Sequence, residues 1–447
     1  MLKTPLDDWI AAKIGLPPGA LPRQAIESYQ LARLRKTVAL AKERSAFYRS
    51  QLAGIDPDGI VNFTHFAELP FTNPQDIRAN PYGLLCTPQT EIERIVSLQS
   101  SGTTGEPKRF YFTKEDQELT IDFFDYGMRN LVGPSDRIMI LLPWELPGSV
   151  GDLLKIALTR MGAHPIPYGP VYNAADAIDV ALKQKATSMV GIPTHVLRMA
   201  RNRSGGRLKG LMKSVLLTTD HVPDSISRAV EDAWGCKVFN HYGTTEMGLG
   251  GGVQCAARSC YHMREADLYF EIIDPGTGRP LPEGETGEIV FTTLTRQGMP
   301  LIRYRIGDLS RFVPGTCPCG STLRQMDIVR GRVSGMKKLV GRPLTIAELD
   351  EAIFQVEGVL NFQCELSEDD GEEILTVDVL IAEGNPTGKD ALSQEVQRAL
   401  YQIPAVAEGL DGGRVKVAVN ILDTQLPISK GTAKRTIADR RPGAQDE

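Results

Sequence analysis

Several features are missing from this 447-residue chain, and each absence removes a class of protein. No apolar run approaches the ~20 residues needed to cross a bilayer. The opening residues, MLKTPLDDWI, lack the apolar core of an export signal, so no membrane partner is expected. Lysine and arginine form no dominant tract and the net charge is −5, which argues against a nucleic-acid partner. The seven cysteines are clustered rather than spread as a disulfide framework, the pattern of a reduced, cytoplasmic protein. There is no G-x-S-x-G elbow of a hydrolase and no G-x-x-x-x-G-K-[ST] mononucleotide loop. Internal repeats and low-complexity tracts are also absent.

What is present is ordinary in bulk and distinctive in places. Hydrophobic content of 42% and charged content of 23% suit a globular protein, and the length allows two or three domains. The distinctive stretch is SSGTTGEPKRFYFT, residues 100–113. A β-branched run (Arg94–Gln99) precedes its polar part and an aromatic run (Arg109–Thr113) follows, both strand-like. Between them, Gly102 and Gly105 allow a tight turn with inward N–H groups. Ser100, Ser101, Thr103 and Thr104 add hydroxyls, and Lys108 adds a mobile charge. A plain polar hairpin loop is the bland reading. The full nine-residue string favours a polyphosphate site.

Along the chain, residues 23–52 carry apolar residues at helical spacing. Asn73-Pro74 opens a helix containing Asp76, and Thr113 caps one whose first turn holds Glu115 and Asp116. Strand-like runs at 137–142, 164–167, 189–193 and 213–218 alternate with helices, which predicts an α/β core with a largely parallel sheet. A further strand ends in Tyr242-Gly-Thr-Thr-Glu246. Leu268 to Thr293 reads as an antiparallel β region, followed by Arg303-Tyr-Arg-Ile-Gly-Asp308 and Gly331-Arg332. Beyond about residue 333, helices at 347–356 and 389–401 and strands at 359–366, 373–381 and 414–422 form a small α+β unit of ordinary domain size. Five soft metal ligands fall in two groups, Cys255, Cys260 and His262, then Cys317 and Cys319. Free buried cysteines are the alternative to a metal.

The strings SSGTTGEPK, YGTTE and YRIGD, in that order, resemble the adenylate-forming acyl-CoA synthetases, and among them the phenylacetate–CoA ligases. The likeness covers the chain from about residue 20 onward. It implies a large N-terminal α/β domain with parallel-rich sheets and a β region (1–333) and a small mobile C-terminal α+β lid (334–447), pivoting near Ser334–Gly335. It implies an enzyme that uses ATP and Mg²⁺ to turn a small carboxylic acid into an acyl-adenylate, then transfers the acyl group to coenzyme A. Ser100 to Gly105 and Lys108 would hold the phosphates. Tyr242 would flank adenine, Thr245 would meet the α-phosphate and Glu246 would bind Mg²⁺, with Gly243 and Thr244 completing the nucleotide-binding string. Asp308 would take the ribose hydroxyls, with Arg332 nearby. Some relatives carry a Cys…His…Cys-x-Cys set, which on this likeness selects Cys255, His262, Cys317 and Cys319 for a structural Zn²⁺, Cys260 being spare.

Two departures stand out. Ile306 replaces the usual threonine of Y-R-T-G-D. Thr432 stands where the resemblance requires a catalytic lysine, flanked by Lys430 and Lys434, either of which is expected to substitute. The acid pocket is expected near Trp144, Glu145, residues 191–195 and His221. Two rivals remain: an adenylating enzyme that loads a different acceptor, and a nucleotide-binding protein that has lost catalysis. Self-association as a homodimer is left open.

Overall fold

The computed structural model describes residues 3–98, 107–382, 388–422 and 435–442. Its centre is a nine-stranded sheet in the order Phe312–Val313, Gln325–Met326, Tyr261–Met263, Gly252–Gln254, Lys237–Tyr242, Ser214–Leu217, Ser188–Gly191, Arg137–Leu141 and His164–Pro167. The last five of these strands run parallel, as strand–helix alternation predicts. The other four are antiparallel, so the sheet is mixed, parallel only in the half where helical crossovers separate the strands.

Strand periodicity sorts the side chains of the parallel half. Ile138 and Ile140 enter one apolar cluster with Phe123 of helix Lys114–Met128 and Leu154 of helix Val150–Arg160. Met139 and Leu141 face the other way, towards Leu197 of Pro193–Ala200 and Ile226 of Asp224–Trp234. Both faces being covered explains why these strands read as unbroken hydrophobic runs. A second, antiparallel sheet holds Leu268–Ile273, Gly287–Thr293, Tyr304–Ser310 and Gly331–Arg332.

The helix anticipated over 23–52 divides. Arg23–Arg44 ends at Ser45, whose extended backbone breaks the helix and whose hydroxyl caps Ala46–Gln51 by accepting from Tyr48 N–H. Capping boxes at Asn73/Asp76 and Thr113/Asp116 start the next two expected helices. The C-terminal elements form their own sheet, Val415–Leu422, Glu372–Ile381, Val359–Asp369 and Ile437–Asp439, with helices Lys389–Leu400 and Pro404–Asp411. The helix at 404–411 and the strand at 437–439 have no counterpart in the sequence reading. One apolar cluster joins this sheet to the central one, taking in Leu197, Ile226, Leu349 and Phe362.

Candidate functional site

Strand Lys237–Tyr242 delivers Tyr242 to the end of the parallel half of the sheet, where ligands of such sheets gather. Gly243 follows because a Cβ there would lie 2.4 Å from the Leu249 carbonyl oxygen. The chain then closes a tight turn in which the Met247 and Leu249 N–H groups both donate to the Thr244 carbonyl, at 3.2 and 2.8 Å. Thr244 and Thr245 are half-buried on this turn, while Glu246 is 4% exposed. Lys108 begins strand Lys108–Thr113, opposite Leu98 in a hairpin. Its Nζ lies 2.7 Å from Glu246 Oε1 and 3.5 Å from the Tyr304 hydroxyl. Burial pushes the Glu246 carboxyl up, but the charge and hydrogen bond of Lys108 outweigh it and hold the group below its ordinary value.

A second polar knot adjoins. Gly307, with φ of +82°, turns the chain immediately before Asp308, and strand pairing sets Asp308 opposite Arg332. The Tyr242 hydroxyl donates to Asp308 Oδ2 at 2.9 Å. Arg332 Nε lies 3.2 Å from Oδ1, and its Nη2 donates to the Ile306 carbonyl at 2.6 Å. Ile306 is buried, so the departure from threonine points inward. Lys108, Tyr242, Glu246, Asp308 and Arg332, far apart in sequence, thus belong to one neighbourhood. Ser100, Ser101, Gly102, Thr103, Thr104 and Gly105 lie outside the described residues, as do Lys430, Thr432 and Lys434.

The soft ligands converge elsewhere. Strand Tyr261–Met263 carries His262, and its pairing with Gln325–Met326 sets Gln325 opposite His262. That register brings in the preceding Cys317-Pro-Cys-Gly320 turn, closed by the Gly320 N–H donating to the Cys317 carbonyl at 2.8 Å. Cys255 Sγ lies 3.7 Å from Cys317 Sγ, and Cys319 Sγ lies 3.4 Å from His262 Nε2. All four ligand atoms fall within 4.8 Å of one another and all four residues are buried. The sulfur separation matches the edge of about 3.8 Å of a tetrahedron with Zn–S bonds of about 2.3 Å. Burial drives the Cys255 thiol up to about 12. Burial also opposes ionisation of Cys319, but the hydrogen bond to His262 prevails and lowers it to about 6. Cys260, buried as well, is outside the quartet.

The acid-pocket candidates are dispersed in their contacts. Trp144 lies beside Lys155, 5.7 Å from ring to Nζ. His195, lowered to about 4 by burial and then by Arg198, takes the Val171 N–H on Nδ1 at 3.3 Å. His221 Nδ1 lies 3.2 Å from Asp350 Oδ2, a residue of the C-terminal elements. Sequence reasoning missed Tyr304 beside Lys108, and it missed Asp350 and Arg435, which meet Asp220 and His221. No sequence spacing links these residues; only the docking of the C-terminal sheet does.

A family model described as AMP-binding enzyme matches residues 44–295, more than half of the chain. A phenylacetate-coenzyme A ligase of Thermus thermophilus is 29% identical over 441 residues, covering 94% of this chain and 98% of that one. A phenylacetate-coenzyme A ligase of Escherichia coli is 29% identical over 374 residues, 81% of this chain and 84% of that one. Among solved structures, a 2-hydroxyisobutyryl-CoA ligase in the postadenylation state, in complex with R3-HIB-AMP, superposes with a TM-score of 0.78 over 95% of this chain and 94% of that one, at 22% identity. The fold is therefore shared over nearly the whole chain.

Proposed function

This chain belongs to the AMP-binding enzyme family, and we propose that it is an acid–thiol ligase that adenylates a carboxylic acid and passes the acyl group to coenzyme A. The observation that carries the reading is the Lys108–Glu246 pair at the sheet end beside Tyr242, Asp308 and Arg332. In the first step a carboxylate oxygen bonds to the α-phosphorus of ATP as the bond to pyrophosphate breaks. In the second the coenzyme A thiol attacks the acyl carbon, losing its proton, and AMP leaves. Such chemistry needs positioning and charge stabilisation more than covalent help.

Lys108 is the phosphate partner, assisted by the string Ser100–Gly105 and the Thr244 and Thr245 hydroxyls. Glu246 is the Mg²⁺ ligand, since a carboxylate beside phosphates requires a cation between them. Tyr242 and Gly243 flank the base, Asp308 and Arg332 hold the ribose, and Lys434 or Lys430 serves in place of the lysine that Thr432 displaces. Residues 1–333 form the adenylating body and 334–447 the lid. The relatives' names point to an arylacetic or similar small acid. The test is ATP–pyrophosphate exchange across a panel of acids that includes phenylacetate, then thioester formation with free coenzyme A. Exchange followed by thioester is expected. Exchange without thioester would mean another acceptor, and no exchange with any acid would reject the ligase reading.

Cys255, His262, Cys317 and Cys319 hold a structural Zn²⁺ that ties strand Tyr261–Met263 to the 317–320 turn. The closed, buried, four-ligand set supports this. Elemental analysis of protein purified without added metal is expected to find close to stoichiometric zinc. Full occupancy in Cys317→Ala/Cys319→Ala protein would reject these ligands.

A further inference from the structure

Arg296 is 6% exposed, and Nη1 of its guanidinium is buried without a hydrogen-bond partner. Among the described residues no carboxylate forms an ion pair with it; the charges of Asp116 and Glu246 act only from a distance. Burial accordingly pushes the group down to about 10. Its neighbours are the face of Phe112, 4.9 Å away, and the backbone of Gly248. A Cβ at position 248 would lie 3.2 Å from Arg296 Nη2, and φ of +75° there also calls for glycine. Buried guanidinium groups ordinarily have a carboxylate beside them. This one does not.

The same guanidinium lines a cavity of about 10 Å³, whose wall also includes Asp116, Thr120, Gly248, Arg264 and Asp267. That volume admits one water-sized species and is too small for a phosphate or an organic acid. The two carboxylates on the wall are already committed. Asp116 Oδ1 accepts from the Gln297 N–H at 2.9 Å, and Oδ2 accepts from the Thr113 and Gly298 N–H groups at 3.2 and 3.1 Å. Asp267 takes Arg264 Nε at 2.8 Å, the Thr295 hydroxyl at 2.9 Å and Lys13 Nζ at 3.1 Å on both oxygens. The Thr120 hydroxyl is spent on the Gly248 carbonyl, at 2.7 Å. What the wall offers an occupant is therefore N–H donors and the positive charge of Arg296. A water there would solvate the guanidinium without neutralising it.

We propose that this cavity binds one small monovalent anion of the halide class, with the Arg296 guanidinium as its counter-ion. The site is separate from the ligase reading and does not depend on it. Gly248 on its wall belongs to the turn that carries Glu246, and Thr120 belongs to helix Lys114–Met128. The anion therefore joins that turn to that helix through Arg296. Because it binds only where these elements are assembled, it stabilises the folded chain by mass action.

Bromide is the probe, because it is visible both by anomalous diffraction and by its effect on stability. Crystals of the full chain soaked in sodium bromide are expected to show an anomalous peak against the Arg296 guanidinium. In solution the melting temperature should rise saturably, by about 1–3 °C, as bromide replaces gluconate at fixed ionic strength. Gluconate is too large for the cavity and serves as the reference anion. Arg296→Met removes the charge while keeping an apolar side chain against Phe112, and it is expected to lose the bromide-dependent rise. A map with only water at Arg296 would overturn the anion site. So would a bromide peak without the rise in solution, which is binding at crystal concentration only, and so would an equal rise in Arg296→Met. Should Arg296→Met fail to accumulate as folded protein, the anomalous map and the bromide titration of the unaltered chain decide between anion and water.

Discussion

Two ion pairs, one buried and one half-buried, stand close to the string Arg303–Asp308, and they are built on different plans. Arg303 fits its fork to Glu271, Nε to Oε2 and Nη2 to Oε1, both at 3.1 Å. Its Nη1 donates to the Ala67 and Leu69 carbonyls, and Phe71 covers the guanidinium at 4.1 Å. Both residues are at most 5% exposed. Lys108, by contrast, makes one short contact with a single oxygen of Glu246, and its next partner among the described residues is a hydroxyl at 3.5 Å. The carboxyls respond accordingly. Burial dominates at Glu271, which is held above its ordinary value despite Arg303. At Glu246 the lysine prevails over burial and holds the group below it. A saturated pair has no bond to spare for a ligand, so it builds the fold. A lysine with a single short contact among the described residues can exchange partners, which a phosphate site requires.

The comparison breaks most visibly at Arg303. Replacing it with leucine strands a buried carboxylate and two carbonyls, at a cost of about 3–5 kcal/mol. Chemical denaturation should show that loss, or the variant should fail to accumulate as folded protein. Adding Glu271→Leu should recover part of it, because the uncompensated charge goes too. A loss in Arg303→Leu no larger than about 1 kcal/mol would mean the pair is not structural.

The sequence distinguished these pairs poorly, for a physical reason. Arg303 and Asp308 sit in one recognisable string, yet saturation depends on Glu271, Ala67 and Leu69, which pairing of strands Leu268–Ile273 and Gly287–Thr293 and the loop near 67–69 bring in from outside it. Local periodicity was sufficient for most elements, including the capping boxes at Asn73 and Thr113 and the five parallel strands, because their signals lie within a few residues. It was insufficient at Ser45, where one hydroxyl caps a new helix within an unbroken helical pattern, and for strand Ile437–Asp439, too short to carry a pattern. The metal quartet was legible once a resemblance had chosen among five ligands; strand register, which spacing does not encode, is what joins its halves. The Asp220–Arg435 contact was not legible at all, since it exists only through docking of two separate sheets.

The smaller effect, and the sharper test of the comparison, is Glu246→Gln. Glutamine keeps the size and can still meet Lys108, so stability should fall by less than in Arg303→Leu. Exchange should fall by about tenfold to a thousandfold, the scale of losing an electrostatic stabiliser. The sign of the pH dependence follows from the lowered carboxyl. A depressed group is ionised at every pH above its ordinary value of 4.5, and its contribution is lost only as pH falls through the still lower folded value. The ratio of unaltered to variant exchange should therefore be flat between about pH 6 and pH 9. A ratio that climbed with pH across that range would mean Glu246 titrates there, as a group dominated by burial would. The site pair would then resemble Arg303–Glu271 after all. Undiminished exchange in the glutamine variant would remove Glu246 from the machinery and leave Lys108 beside a carboxylate that only supports the turn.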